Sequence, residues 1–186
     1  PIIEDSAESL GAEYNNRKCG SFGTLSILSF NGNKIITTSG GGMILSNNED
    51  LILKAKKLST QSRENKIFYE HKEIGYNYRM SNILAAIGIA QLDSLDDYVK
   101  IKRKIFNIYK KKLSTISGIN FMPEILGGKS TNWLSALILK KNSFLEIKKM
   151  INFFNKKNIE LRHIWKPMHL QPLYKGYELY FIEKNP

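Results

Sequence analysis

The chain has 186 residues, 28 Lys+Arg against 17 Asp+Glu, a formal charge of +11 and a pI near 9.6, and 42% of it is hydrophobic. That apolar share supports a packed core of one or two domains and excludes a disordered polar chain. No run approaches the roughly 20 apolar residues of a membrane-spanning helix, and the single cysteine, Cys19, excludes an internal disulfide.

The charge invites nucleic acid as a partner. The lysines, however, concentrate at 100–112 and 140–157, interleaved with Ile, Phe and Leu at helical spacing, so they read as solvated helix faces. No zinc-finger spacing or ribonucleoprotein motif accompanies them, and neither nucleic acid nor membrane is expected as a partner. The lone thiol and the lack of a signal-peptide pattern point to a reducing, cytoplasmic compartment.

In chain order, an apolar strand at Pro1 to Ile3 runs into Glu4 and Asp5 and then a short helix-like stretch through Gly11. Asp5 falls at the carboxyl end of the strand, the edge where open α/β sheets bind ligands. A carboxylate there can pair with a protonated pyridine nitrogen, or it caps the helix that follows. Leu25 to Phe30 and Met43 to Leu45 read as two more strands. Between them lie Lys34 and the triplet Gly40-Gly41-Gly42. Most lysines of a basic chain are solvated, but this one sits in a turn-rich, glycine-flanked setting that suits a nucleophilic amine. Ser29, Thr37 and Thr38 offer hydroxyls to a phosphate.

Asn48 is placed to cap a helix over Glu49 to Leu58, with acids in its first turn and lysines in its last. Ser81 caps a long helix whose apolar residues, from Leu84 to Leu113, keep a three-to-four-residue rhythm with a break near Asp96-Asp97. Strands follow at Gly118 to Met122 and Trp133 to Leu139, joined by a loop, Pro123 to Asn132, that is free to vary. A helix from Ser143 to Lys157 and a strand from Ile159 to His163 complete an α+β lobe. His71, His163 and His169 are too scattered for a metal set, and there is no Cys pair, His-Glu-x-x-His run or Walker loop. No metal is expected.

Glu4-Asp5-Ser6-Ala7-Glu8, Gly20-Ser21-Phe22-Gly23, Ser29-Phe30-Asn31-Gly32-Asn33-Lys34 and Gly75-Tyr76-Asn77-Tyr78-Arg79-Met80-Ser81 occur in the order and spacing of one family. Over essentially its whole length the chain resembles the DegT/DnrJ/EryC1/StrS pyridoxal-phosphate sugar aminotransferases. Within them it is most similar to enzymes that aminate a UDP-linked 4-keto-6-deoxy-N-acetylhexosamine. The resemblance implies an α/β fold, the aspartate aminotransferase-like fold type I of pyridoxal-phosphate-dependent transferases. Residues 1–80 would be the C-terminal part of the large cofactor-binding domain. Residues 81–186 would be a long connecting helix and a small α+β domain, incomplete at its C-terminus.

The same resemblance makes Lys34 the Schiff-base lysine and proton shuttle, and Asp5 the partner of the pyridine nitrogen. It places Glu8 beside the cofactor ring, Ser29 on the phosphate and Asn77 on the phosphate of a neighbouring subunit's cofactor, hence a homodimer. A nucleotide-linked keto sugar and L-glutamate are the implied substrates. Trp165-Lys166-Pro167-Met168-His169 resembles a segment near the substrate cleft, with Leu161 and His163 where relatives often have Thr and Pro. Dehydratases on this scaffold carry histidine at the position of Lys34. Members of the family are longer and supply further cofactor contacts before the strand of Asp5, so the chain is expected to be an internal fragment. An inactive fragment, or a binding lobe, is the alternative to an active enzyme.

Overall fold

The structure is a computed structural model that describes residues 1–140 and 144–179, in two compact units, Pro1–Ile138 and Leu139–Pro186. In chain order the strands β1 (Ile3–Asp5), β2 (Glu13–Tyr14), β3 (Arg17–Lys18), β4 (Leu25–Ser29) and β5 (Gly42–Leu45) precede the helices α1 (Glu49–Ser59), α2 (Asn82–Leu92) and α3 (Leu95–Leu113). Then come β6 (Ile119–Phe121), β7 (Gly128–Lys129), β8 (Leu137–Leu139), α4 (Phe144–Asn155) and 3-10 turns at Met168–Leu170 and Pro172–Tyr174.

The site rests on the sheet β1-β4-β5, in which β1 runs parallel to β4 and β5 antiparallel to it. Parallel pairing sets the carboxyl ends of β1 and β4 side by side, with Asp5 in register with Ile27. Successive side chains of a strand alternate between faces, and here the two faces have different fates. Leu28 is buried with Phe30 and Ile36, and Leu10, Leu45, Met80 and Leu95 pack against them. On the other face Ile3 and the register pair Ile27 and Ile44 stay exposed.

A hairpin of β2 and β3 turns at Asn15 and Asn16, both left-handed (φ 48° and 61°), a conformation asparagine adopts more readily than most residues. Its third strand is β7, inside the loop expected to vary freely. That expectation is corrected: Asn15 N–H donates to the Gly127 carbonyl (2.8 Å), and the Lys129 ammonium reaches both Glu13 and Asn16 at 3.0 Å. Hydrogen bonds from Lys18 and then Lys129 lower the Glu13 carboxyl to about 2. Both ammonium groups are solvated, so the pair fixes register more than it adds stability.

Asn48 caps α1 as its sequence requires, its Oδ1 accepting from Leu51 N–H at 3.2 Å. The helix expected to run on from Ser81 is two helices, breaking at Asp93-Ser94, just before the expected place. α3 buries Val99 and Phe106, the latter edge-on to Phe121. Three other local readings change. Ser6 to Gly11 forms turns rather than helix, the strand expected from Trp133 shrinks to β8 paired with β6, and residues 159–163 form no strand. Ser143, the expected start of α4, lies outside the described residues. Among the described residues no helix is long and apolar enough to cross a membrane, and no three His, Cys, Asp or Glu side chains form a metal-binding group.

Candidate active site

The Gly20-Ser21-Phe22-Gly23 motif has a structural purpose that its sequence does not announce. Its loop wraps the carboxylate of Glu4, in the middle of β1. Glu4 accepts from the backbone N–H groups of Gly20 (2.5 Å), Phe22 (2.9 Å) and Gly23 (3.1 Å) and from the hydroxyls of Ser6 (2.9 Å) and Ser26 (3.2 Å). A Cβ on Gly23 would sit 2.5 Å from the Leu25 carbonyl oxygen, so the close approach of this loop needs a glycine.

Burial pushes the Glu4 carboxyl up, but the hydrogen bonds from Gly20, Phe22, Ser6 and Gly23 outweigh it and bring it down from 4.5 to about 2. A carboxyl depressed on folding contributes stability that is fully present above its unfolded value of 4.5 and is lost as pH falls toward 2. Glu4→Gln would turn an amide N–H₂ toward donors, and should cost about 1–3 kcal/mol at neutral pH. It should also flatten the acid limb of stability; urea unfolding at pH 7 and pH 3 measures both effects. An unchanged acid limb would show that Glu4 does not control it.

Beyond β4 the chain closes a loop that carries Lys34. Phe30 N–H donates to Gly41 C=O (3.0 Å), Thr38 N–H donates to Phe30 C=O (2.9 Å), and the Thr37 hydroxyl donates to that same carbonyl (3.0 Å). Ile36, 2% exposed, plugs the loop into the core. The far stem is gripped from α2: Gln91 Oε1 accepts from Thr37 N–H (3.0 Å) and Gln91 Nε2 donates to Thr37 C=O (2.5 Å).

The Lys34 side chain is only 12% exposed, and its ammonium is 2.9 Å from Glu8 Oε1 and 5.3 Å from the centre of the Trp133 ring. Two of the sequence candidates thus meet directly, Lys34 and Glu8. Asp5 and Ser29 end the adjacent parallel strands β1 and β4. Asp5 Oδ1 accepts from Ala7 N–H (3.2 Å) in a turn, not as a helix cap, and Ser29 Oγ accepts from Asn31 N–H (3.5 Å). Asn77 is exposed and bridged to Thr60. Among the described residues no hydrogen bond links it to Lys34, Glu8, Asp5 or Ser29.

Sequence reasoning missed Glu4 and Gln91, and took Trp133 as the start of a strand. Glu4 stood inside a motif but beside the more obvious Asp5. Nothing near Gln91 in sequence points to Thr37. The arrangement sets an enclosed amine between a carboxylate and an indole, with a further carboxylate and a hydroxyl at neighbouring strand ends, a setting in which the amine is positioned to act as a nucleophile.

The DegT/DnrJ/EryC1/StrS aminotransferase family model matches residues 1–184. EpsN of Bacillus subtilis (strain 168) is 51% identical over 174 residues, covering 94% of this chain and 44% of EpsN. GDP-perosamine synthase of Vibrio cholerae is 37% identical over 174 residues, covering 94% and 47%. The PLP-form structure of Spr1654 from Streptococcus pneumoniae superposes with a TM-score of 0.85 at 25% identity, over 95% of this chain and 47% of that one. The chain therefore spans about half the length of the relatives it matches.

Proposed function

Because the chain belongs to the DegT/DnrJ/EryC1/StrS aminotransferase family, we propose that the protein carrying these residues transfers an amino group to a nucleotide-linked keto-deoxy sugar. The family depends on pyridoxal phosphate, and the fold is part of the type I fold of such transferases. The observation that carries the proposal is the enclosed Lys34 amine, paired with Glu8 at the carboxyl edge of β1 and β4.

The residues present suit the cofactor: Lys34 to hold its carbonyl carbon, Asp5 to face its ring nitrogen, Ser29 to donate to its phosphate and Glu8 to flank its ring. Bound there, pyridoxal phosphate supplies an electron-withdrawing ring that stabilises negative charge at the carbon exchanging its amino group. Lys34, once free of the cofactor's carbonyl carbon, would be the group placed to move a proton, and Glu8, whose Oε1 accepts from the amine at 2.9 Å, would orient it. Asp5 would face the ring nitrogen and favour its protonated form.

L-glutamate is proposed as the donor and a 4-keto-6-deoxy sugar nucleotide as the acceptor. The name of the perosamine synthase, an enzyme of a GDP-linked amino sugar, supports the acceptor class. The full-length protein with cofactor should lose its visible absorption band on adding glutamate and regain it on adding the keto sugar nucleotide. A band that glutamate leaves untouched would exclude this donor.

The division at residues 80 and 81 between cofactor domain and small domain belongs to the same proposal; α2 begins just after it, at Asn82, and packs within the same compact unit, Pro1–Ile138. So does the homodimer. Asn77 lies between exposed, mutually stacked Tyr76 and Tyr78 (5.0 Å), which suits a residue reaching across an interface. Mixing full-length Asn77→Ala and Lys34→Ala proteins should restore part of the activity in mixed dimers. Mixed dimers that form and stay inactive would place Asn77 in its own subunit's site.

A further inference from the structure

We propose that Gln91 is a positioning residue for the reactive amine, and that it works by fixing the peptide of Thr37, on the stem of the Lys34 loop. This rests on the assignment of Lys34 as the reactive amine. The geometry is specific. A residue in a chain offers one N–H and one C=O, and a primary amide presents the complementary acceptor and donor on one rigid plane. Gln91 makes both bonds to Thr37 across 54 positions of sequence, at 3.0 and 2.5 Å.

A second observation shows that α2 is shaped to reach this loop. One turn before Gln91, a Cβ placed on Gly88 would lie 2.9 Å from Cγ2 of Thr38, a residue that is 1% exposed. The helix backbone thus comes against Thr38 only because position 88 carries no side chain. Gly88 and Gln91 together dock α2 on Thr37 and Thr38. The Thr37 hydroxyl passes the constraint on to the Phe30 carbonyl, which closes the loop. Lys34 can then turn about its own side-chain bonds while its Cα stays fixed between Phe30 and Thr37. A reactive group displaced by about 1 Å loses about 100-fold in rate.

The test uses the full-length protein and two variants. Gln91→Met keeps length and removes both hydrogen bonds. Gly88→Ala keeps Gln91 and favours the helix, but pushes α2 off Thr38. Hydrogen exchange at the Thr37 amide, read without cofactor, should be slow in the unsubstituted protein and faster in both variants. With cofactor, kcat should fall about 100-fold with KM for the donor unchanged, the signature of a lost transition-state alignment.

Faster exchange with unchanged kcat would make Gln91 a structural residue only and overturn the proposal, as would unchanged exchange in both variants. Should Gln91→Met not fold, Gly88→Ala and the exchange rate of the unsubstituted protein decide, and rapid exchange at Thr37 there overturns the clamp. Failure of the site reading looks different: Lys34→Ala would keep its turnover, and the kinetic arm would then refute the proposal while exchange at Thr37 reported on the clamp alone.

Discussion

Lys34→Ala in the full-length protein should abolish the visible band of lysine-bound cofactor and lower turnover by about 10,000-fold or more, the scale on which losing a nucleophile that also moves protons is felt. The fold should survive. The substitution leaves the Glu8 carboxylate, 43% exposed, able to turn to water, and the loop is held by Ile36, Thr37 and Thr38 rather than by the amine. Unfolding should therefore shift by no more than about 1 kcal/mol. Absorbance after adding pyridoxal phosphate, steady-state turnover and a denaturant titration separate the two effects. A variant that turned over normally would remove Lys34 from the chemistry.

Asp5→Asn is the sharper electrostatic test. The backbone contact of Asp5 is an acceptor contact from Ala7 N–H, which the carbonyl of an asparagine reproduces, so the turn after β1 should persist. The charge is lost. A neutral amide does not hold a proton on a pyridine nitrogen, and the ring loses its pull on electrons. Cofactor affinity should remain within about tenfold, because Lys34 and the phosphate contacts are untouched, while kcat falls about 100-fold or more. Normal kcat in the asparagine variant would reduce Asp5 to a turn-forming residue.

The features legible in the sequence were those decided by neighbours in the chain. Asn48 with acids after it and lysines a few turns later makes α1 in the structure as it does on paper. β4 and β5 follow from apolar runs separated by glycines. Lys34 and Glu8, both singled out by the motifs, lie 2.9 Å apart.

What was not legible depends on partners far along the chain. The two-residue strands β2 and β7 carry almost no pattern, and they pair because Asn15 and Asn16 turn the chain and Gly127 and Gly128 come back to them. The asparagine pair was a readable turn signal that went unused. Residues 159–163 alternate as a strand should, yet a strand is stable only when its backbone groups find a partner. Among the described residues none supplies it. Gln91 looks in sequence like any polar residue near a helix end. Its meaning lies in Thr37.

That separation also orders events in time. The Lys34 loop contains its own residues well before α2 has been made, yet its second stem is closed by a side chain 54 positions further on. Closing so long a segment carries an entropic cost that local contacts do not repay until α2 has docked. On the proposed clamp, the local bonds at Phe30 and the buried Ile36 shape the loop first, and its second stem is completed only once α2 has docked.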